Sequence, residues 1–262
     1  MIIGAQKSGT TSLATQLGKH PGVCFCLEKE PHFFSRDSSY NEGLESYHSL
    51  FKPSMGQILG EASTSYTFFP EYQGTVERLY AYNPGLKFIY IMRQPVDRIV
   101  SQYSHGLLRG LVDRPLDVEV LEDSTYVNRS RYGMQIGQYL EYFALENIAF
   151  VLFEDFVRDQ RGVLMEIAAF LGISPDYYLQ IEDESKNRTV GVSQRIAKPL
   201  LPLAPLLPGS IRRVVRSILF KTVDHRPVFT HELRRELWSL LEDDVKVLEG
   251  LMGRSLGVWG DI

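Results

Sequence analysis

The sequence predicts an α/β fold in which one central parallel sheet is flanked by helices. Two nearly continuous apolar runs, 87–92 and 148–153, are typical of strands buried in a parallel sheet. Segments with helical spacing alternate with the apolar runs, which favours right-handed crossovers. The stretch 2–13 combines a short apolar run, a glycine-containing turn and a helix start. We therefore expect residues 1–262 to form a single α/β domain.

The composition narrows the class of function. The apolar fraction of 44% and the charged fraction of 23% are ordinary for a globular protein. The net charge of −4 argues against a nucleic-acid partner, so local basic residues must meet any anionic ligand. The two cysteines, Cys24 and Cys26, form neither a disulfide framework nor a metal knuckle, and the six histidines show no ligand spacing. We expect no metal. With no visible secretory signal or membrane-spanning run, we expect a cytoplasmic location.

The elements follow in order along the chain. Apolar runs, helical spacing and proline or glycine breaks define them. Strands are expected at 23–27, 87–92 and 148–153, with a short strand or loop at 60–67; helices are expected at 11–19, from Pro95, and at 132–145, 157–171 and 229–251.

The segment 197–226 differs from the rest and is interpreted as an insertion. Its prolines recur every third residue, which is polyproline II spacing. An apolar stripe with flanking arginines follows in 211–221, and such a basic amphipathic helix can lie on a membrane surface. Packing on its own domain is the more common arrangement and is favoured here.

The turn after the first strand has the features of an anion-binding loop. Backbone N–H groups at a helix start form a partly positive cradle that suits a phosphate. Lys7 adds an ammonium, and Thr10, Thr11 and Ser12 add hydroxyl donors. The loop of nucleotide triphosphatases needs a lysine after its last glycine, whereas Lys7 precedes Gly9 by two residues. A glycine turn without a ligand is the alternative.

Three blocks in order give the chain a family resemblance. They are 7–12 (Lys-Ser-Gly-Thr-Thr-Ser), 29–34 (Lys-Glu-Pro-His-Phe-Phe) and 93–103, which begins Arg-Gln-Pro-Val-Asp-Arg. Together with Leu-Gly-Val-Trp-Gly at 256–260, they resemble sulfotransferases that use 3′-phosphoadenosine 5′-phosphosulfate (PAPS). The similarity is strongest to the heparan sulfate N- and 3-O-sulfotransferase branch and its bacterial relatives.

The resemblance implies a role for each matching residue. The 5′-phosphosulfate of PAPS would be held by Lys7, Ser8, Gly9, Thr10, Thr11 and Ser12. The 3′-phosphate would be gripped by Arg93 and Ser101, for which a surface salt bridge and an incidental helix serine are the alternatives. Arg226 falls where the family places a further phosphate-binding loop, although the usual Lys-Gly-Arg run is absent. Glu30 would be the general base, and His32 would orient it.

The acceptor is less determined than the donor. Relatives of the 3-O branch have an aspartate where Ser35 stands and a Lys-Thr-Pro run where this chain has 62–64, and those positions touch the acceptor sugar in them. A heparan-like acceptor is therefore in doubt. We expect in-line transfer without a metal to a carbohydrate hydroxyl, with an amine, a lipid or a polyketide as alternatives. A nucleotide kinase and a non-catalytic glycan-binding homologue remain as other classes.

Overall fold

The computed structural model describes residues 1–180 and 227–260. Its five strands are β1 Ile2–Gly4, β2 Val23–Phe25, β3 Ile58–Gly60, β4 Phe88–Met92 and β5 Ile148–Leu152. The helices that precede β5 are α1 Thr10–Leu17, α2 Asp37–Tyr40, α3 Leu44–Ser49, α4 Thr75–Tyr82, α5 Pro95–Leu108, α6 Leu116–Glu122, α7 Ser124–Asn128 and α8 Tyr132–Leu140. Those that follow it are α9 Phe153–Arg158, α10 Gln160–Leu171, α11 His231–Ser239 and α12 Glu242–Met252. Short 3₁₀ turns occupy Thr64–Thr67, Leu145–Asn147, Pro175–Gln180 and Gly257–Trp259.

The strands form one parallel arrangement, as predicted. The order β1-β4-β5 makes one ladder and β2-β3 another, and every pair is parallel. The chain just after β3 joins them, because Ile2 N–H donates to Glu61 O at 2.8 Å and Ser63 N–H donates to Ile2 O at 3.1 Å. The resulting order is β2-β3-β1-β4-β5. All five carboxyl ends therefore meet at one edge.

The core has two layers, one on each face of the sheet. Along β4, Phe88, Tyr90 and Met92 belong to the cluster on one face, whereas Ile89 and Ile91 belong to the cluster on the other. This alternation is the period of two of a strand with both faces covered. A third cluster joins α5, α6, α7 and α11. No helix in residues 1–180 or 227–260 is long and apolar enough to cross a membrane.

Several element predictions differ from the structure in their limits. The predicted strand or loop at 60–67 is the end of β3 followed by a 3₁₀ turn at Thr64–Thr67. The predicted helix at 132–145 ends at Leu140, and the predicted helix at 157–171 is interrupted at Asp159, between α9 and α10. The segment 197–226, its helix at 211–221 and Arg226 lie outside the described residues.

The predicted single closing helix at 229–251 is two helices. It breaks between α11 and α12, and its apolar stripe changes partner there. Leu233, Leu237 and Leu241 pack with α5, whereas Val245 and Leu248 pack in the cluster that contains α8. Sequence spacing cannot reveal this change, because both halves have a helical period.

Candidate active site

The loop between β1 and α1 has an open helix start. No side chain in the described residues caps α1, whose N-cap is Gly9. The N–H groups of the first turn are therefore available to a ligand. Gly9 has φ 92°, and a Cβ there would lie 2.8 Å from Cδ2 of Phe153 at the start of α9. The close approach of an aromatic ring and the positive φ both require glycine at this position.

Glu30 and His32 follow β2 and face the same edge of the sheet. His32 Nε2 lies 3.5 Å from Glu30 Oε2, and Thr64 Oγ1–H donates to the same oxygen at 3.3 Å. On the other side of the imidazole, His32 Nδ1 lies 2.6 Å from Ser65 Oγ, which is 2.6 Å from Ser35 Oγ. A chain of side chains thus runs from a buried serine pair through the imidazole to the carboxylate.

His32 is uncharged in the folded protein. Burial, with a contribution from Arg36, lowers the pKa of His32 to about 4, so the imidazole is neutral near pH 7. Its Nε2 faces the Glu30 carboxylate and its Nδ1 faces Ser65. The imidazole therefore lies beside the Glu30 carboxylate without adding a charge that would neutralise it.

The segment 61–63, which follows β3, holds His32 in place beside Glu30. His32 N–H donates to Ser63 Oγ at 3.0 Å, and Ser63 Oγ–H donates to Glu61 Oε2 at 3.0 Å. Glu61 is only 1% exposed, and burial raises the pKa of its carboxyl group. Ser35, Ser63 and Thr64 are positions at which the sequence departs from the heparan sulfate 3-O branch. Here they hydrogen bond within the network around Glu30 and His32.

Helix α5 forms the opposite wall. Ser101, His105 and Arg109 recur at intervals of four residues, and all three line the same cavity as Lys7, Thr10 and Glu30. This cavity has a volume of about 610 Å³. Its remaining lining residues are Gln6, Gly9, Thr11, Lys29, His32, Thr64 and Phe153. The spacing of Ser101, His105 and Arg109 on a helix was visible in the sequence and could have identified this wall.

Arg93 follows β4 and contacts a residue of the cavity wall, although it does not line the cavity itself. Its guanidinium carbon lies 5.3 Å from the centre of the Phe153 ring, which lines the cavity. Its nearest carboxylate is Asp97 at 3.7 Å, which Arg234 engages more closely at 2.8 Å. Arg93 therefore has only a weak ion pair. Tyr132 O–H donates to Arg93 O at 2.8 Å and fixes this turn.

The motif at 256–260 contacts the turn that carries Arg93. Gln94 Nε2–H donates to Trp259 O at 3.1 Å, and Trp259 is 1% exposed. Gln94 also caps α5, since its Oε1 accepts from Asp97 N–H at 2.7 Å. The motif at 256–260 thus acts on the site by positioning the turn that carries Arg93.

The cavity is electropositive. Burial lowers the pKa of Lys7, and Arg109, Arg93 and Lys29 lower it further, which shows that these cations share one region. Burial also lowers the pKa of His105, with further contributions from Lys7, Arg109 and Lys29. Within residues 1–180 and 227–260, the side chains of Lys7, Lys29 and Arg109 have no carboxylate within ion-pair distance. Uncompensated cations around an open helix start suit a ligand with several negative charges.

The backbone gives an independent indication of a functional site. Lys7, Glu30 and His32 have φ values of 71°, 53° and 55°, and they are the non-glycine residues with positive φ in the described part of the chain. Such conformations are unfavourable for residues with a side chain and persist where surrounding structure imposes them. All three face the one cavity.

The structure brings most of the predicted site residues together. Those that line the cavity are Lys7, Gly9, Thr10, Thr11, Glu30, His32 and Ser101. Ser8 is fully buried beside Tyr132, and neither Ser8 nor Ser12 lines the cavity, so their hydroxyl groups are not presented to it. Sequence reasoning missed Gln6, Lys29, Thr64, His105, Arg109 and Phe153. Within the described residues, no group of three or more His, Cys, Asp and Glu side chains is placed to hold a metal ion.

A parallel sheet with a glycine turn and an open helix start after its first strand, and with a carboxylate at the same edge, defines an α/β protein with a P-loop-like fold. The profile of the sulfotransferase domain family matches residues 1–194, and the chain belongs to this family. No finding supports the kinase alternative.

Curated proteins with similar sequences are also sulfotransferases. The chain is 33% identical over 186 residues to heparan sulfate glucosamine 3-O-sulfotransferase 6 of Homo sapiens, covering 66% of the chain and 52% of the relative. It is 35% identical over 188 residues to heparan sulfate glucosamine 3-O-sulfotransferase 3B1 of Mus musculus, covering 66% of the chain and 45% of the relative. The chain thus spans about half the length of these curated relatives.

A solved structure matches over nearly the whole chain. The sulfotransferase from Alicyclobacillus acidocaldarius superposes with a TM-score of 0.73 at 28% identity, covering 99% of this chain and 97% of that one.

Proposed function

We propose that this protein transfers the sulfuryl group of PAPS to an acceptor hydroxyl, with Glu30 as the general base. The observation that carries the proposal is that Lys7 and Glu30 line one cavity from different loops, in a chain of the sulfotransferase family. One residue can neutralise charge on the donor while the other removes a proton from the acceptor.

The residues present fit a nucleotide with a phosphate group at each end. The open start of α1, with Lys7, suits the 5′-phosphosulfate. Arg93 and Ser101 lie on the turn and helix that follow β4, where they suit the 3′-phosphate. Arg109 and His105 add positive charge and a hydrogen-bond donor on the same wall. Arg226 remains a predicted contact outside the described residues.

The reaction needs one proton acceptor and one group that stabilises departing charge. Glu30 takes the acceptor proton while the acceptor oxygen forms its bond to sulfur and the bridging oxygen–sulfur bond breaks. Lys7 stabilises the negative charge that develops on the bridging oxygen. His32 and Thr64 hold the carboxylate in place. The surrounding cations balance the charge, so we propose that no metal takes part.

A carbohydrate hydroxyl is the acceptor that the relatives' names favour, since they are glucosamine 3-O-sulfotransferases. A carboxylate base suits a hydroxyl, which becomes a good nucleophile only as its proton leaves. An amine is the second candidate. The proposed partners are accordingly a glycan or small molecule and no nucleic acid, and the proposed location is the cytoplasm.

The test separates binding from chemistry. We expect the wild type to sulfate at least one member of a panel of monosaccharide glycosides in the presence of PAPS, detected by mass spectrometry. Glu30→Gln should lose transfer but bind 3′-phosphoadenosine 5′-phosphate (PAP) as the wild type does in calorimetry, because the loop is untouched. Lys7→Ala should weaken both transfer and binding.

The matched control is Glu45→Gln, because Glu45 is exposed on α3 and does not line the donor cavity. It should transfer normally. Wild-type turnover by Glu30→Gln would show that the base is another group, and magnesium-dependent phosphoryl transfer from ATP would revive the kinase alternative.

A further inference from the structure

A second cavity, here called the α1 groove, opens beside Glu30 on the side away from α5. It lies between α1 and the chain from Phe25 to Glu30, with a volume of about 410 Å³. It shares the wall residues Thr10, Thr11, Lys29 and Glu30 with the donor cavity, whereas Ser101, His105 and Arg109 line the donor cavity alone. The two cavities therefore meet at the proposed base.

The wall of the α1 groove is mostly apolar. Ala14, Phe25, Cys26 and Leu27 contribute to it. Leu27 is 65% exposed, so its side chain is open to a ligand. Burial raises the pKa of Cys26 to about 11, so its thiol is uncharged near pH 7 and belongs to the apolar surface. The charged residues that line the groove are Lys19, Glu28, Lys29 and Glu30.

Glycines shape the α1 groove. A Cβ at Gly60 would lie 2.9 Å from the Phe25 ring, so the ring occupies space that only glycine leaves free. A Cβ at Gly18 would lie 3.4 Å from Cβ of Phe25. The groove runs along α1 from Thr11 to Gly18, about 10 Å at the rise of an α-helix. Its volume is within the range of small-molecule sites.

We infer that the α1 groove binds an apolar chain attached to the acceptor, so that the acceptor is an amphipathic hydroxyl compound such as an alkyl glycoside. This inference rests on the proposed function, because it places the polar head of the acceptor at Glu30. The cations on the α5 side suit the donor, and the apolar side chains on the α1 side suit a hydrocarbon tail. Each methylene that leaves water for the groove strengthens binding by about two- to fourfold.

The test compares methyl β-glucoside with n-octyl β-glucoside, each titrated calorimetrically into the protein saturated with PAP and kept below the micelle concentration. The octyl compound should bind at least tenfold more tightly than the methyl compound. Leu27→Asp should reduce this ratio to less than threefold and leave PAP affinity unchanged. Leu44→Asp is the matched control, because Leu44 is 43% exposed outside the groove, and it should keep the wild-type ratio.

The outcomes separate this inference from the proposed function. Equal binding of the two glucosides, no binding of the octyl compound, or an octyl preference that survives Leu27→Asp would each overturn the inference. The PAP titration that precedes these measurements reports on the donor site, and failure of the wild type to bind PAP would contradict the proposed function itself. Thr15→Trp, which fills the groove from the exposed side of α1, should abolish the octyl preference as well.

Discussion

Ser65 Oγ lies 2.6 Å from His32 Nδ1, on the opposite side of the imidazole from the Glu30 carboxylate. Because burial keeps His32 neutral, this hydrogen bond fixes the orientation of an uncharged ring whose Nε2 faces Glu30. Ser65 is 2% exposed and does not line the donor cavity, whereas its partner His32 does, so Ser65 is a positioning residue.

Ser65→Ala should lower kcat about fivefold with little change in PAP affinity. A neutral hydrogen bond contributes about 1 kcal/mol, and its loss frees the imidazole to rotate away from Glu30. The measurement is steady-state kinetics together with PAP calorimetry. Ser54→Ala, on an exposed loop, should behave as the wild type. An equal fall in PAP affinity would assign Ser65 to the structure of the donor site instead.

Arg93→Ala should reduce the preference of the protein for PAP over AMP, which lacks the 3′-phosphate. A guanidinium contact to a phosphate contributes about 1.5–3 kcal/mol, so the ratio of the two dissociation constants should fall by at least tenfold. Ser101→Ala should reduce the same ratio by a smaller factor, and AMP affinity should change little in either variant.

Arg114→Ala is the control for that comparison, because Arg114 is a partly exposed arginine paired with Glu122 away from the cavity. If Arg93→Ala weakens AMP and PAP equally, Arg93 acts on the shape of the site and the assignment to the 3′-phosphate fails.

Gly9→Ala should destabilise the protein by about 2 kcal/mol or more and weaken PAP binding. The added Cβ would lie 2.8 Å from the Phe153 ring, and the alanine would have to adopt a φ of 92°. Gly172→Ala is the matched control, since Gly172 also has positive φ but has no atom within 4 Å of a Cβ. It should cost only about 1 kcal/mol and leave binding intact. Urea unfolding and PAP calorimetry measure both effects, and equal costs would show that Phe153 simply moves aside.

Acidification from pH 7.5 to 5 should destabilise the wild type more than His32→Gln. The unfolded imidazole titrates near 6.5, whereas the folded imidazole has a pKa of about 4, so between these values the unfolded state binds more protons and stability falls as the pH falls. The difference at pH 5 should be about 1 to 2 kcal/mol. Urea unfolding at the two pH values measures it, and identical pH dependence in both proteins would mean that His32 is protonated in the folded state at pH 5.

Much of the donor site could be predicted from the sequence because its signals are local. The loop at 7–12 and the block at 29–34 each follow a short apolar strand, and Arg93 follows the clearest one. In an open parallel sheet such strand ends share one edge, so the sequence predicted that these residues converge. The wall formed by His105 and Arg109 was missed, although both follow the predicted Ser101 at intervals of four residues and therefore share its helix face.

The sequence by itself determined the parallel α/β fold, the glycine turn before α1 and the position of Glu30 after a strand at the same edge, because buried strands and tight glycine turns are encoded by neighbouring residues. Only the tertiary structure decided that β1 lies between β3 and β4, that Ser35, Ser63, Thr64 and Ser65 support Glu30 and His32, and that the last helix breaks before α12. These features depend on contacts between residues distant in the chain. Packing and the hydrogen bonding of buried polar groups stabilise these contacts, and neither leaves a periodic pattern in the sequence.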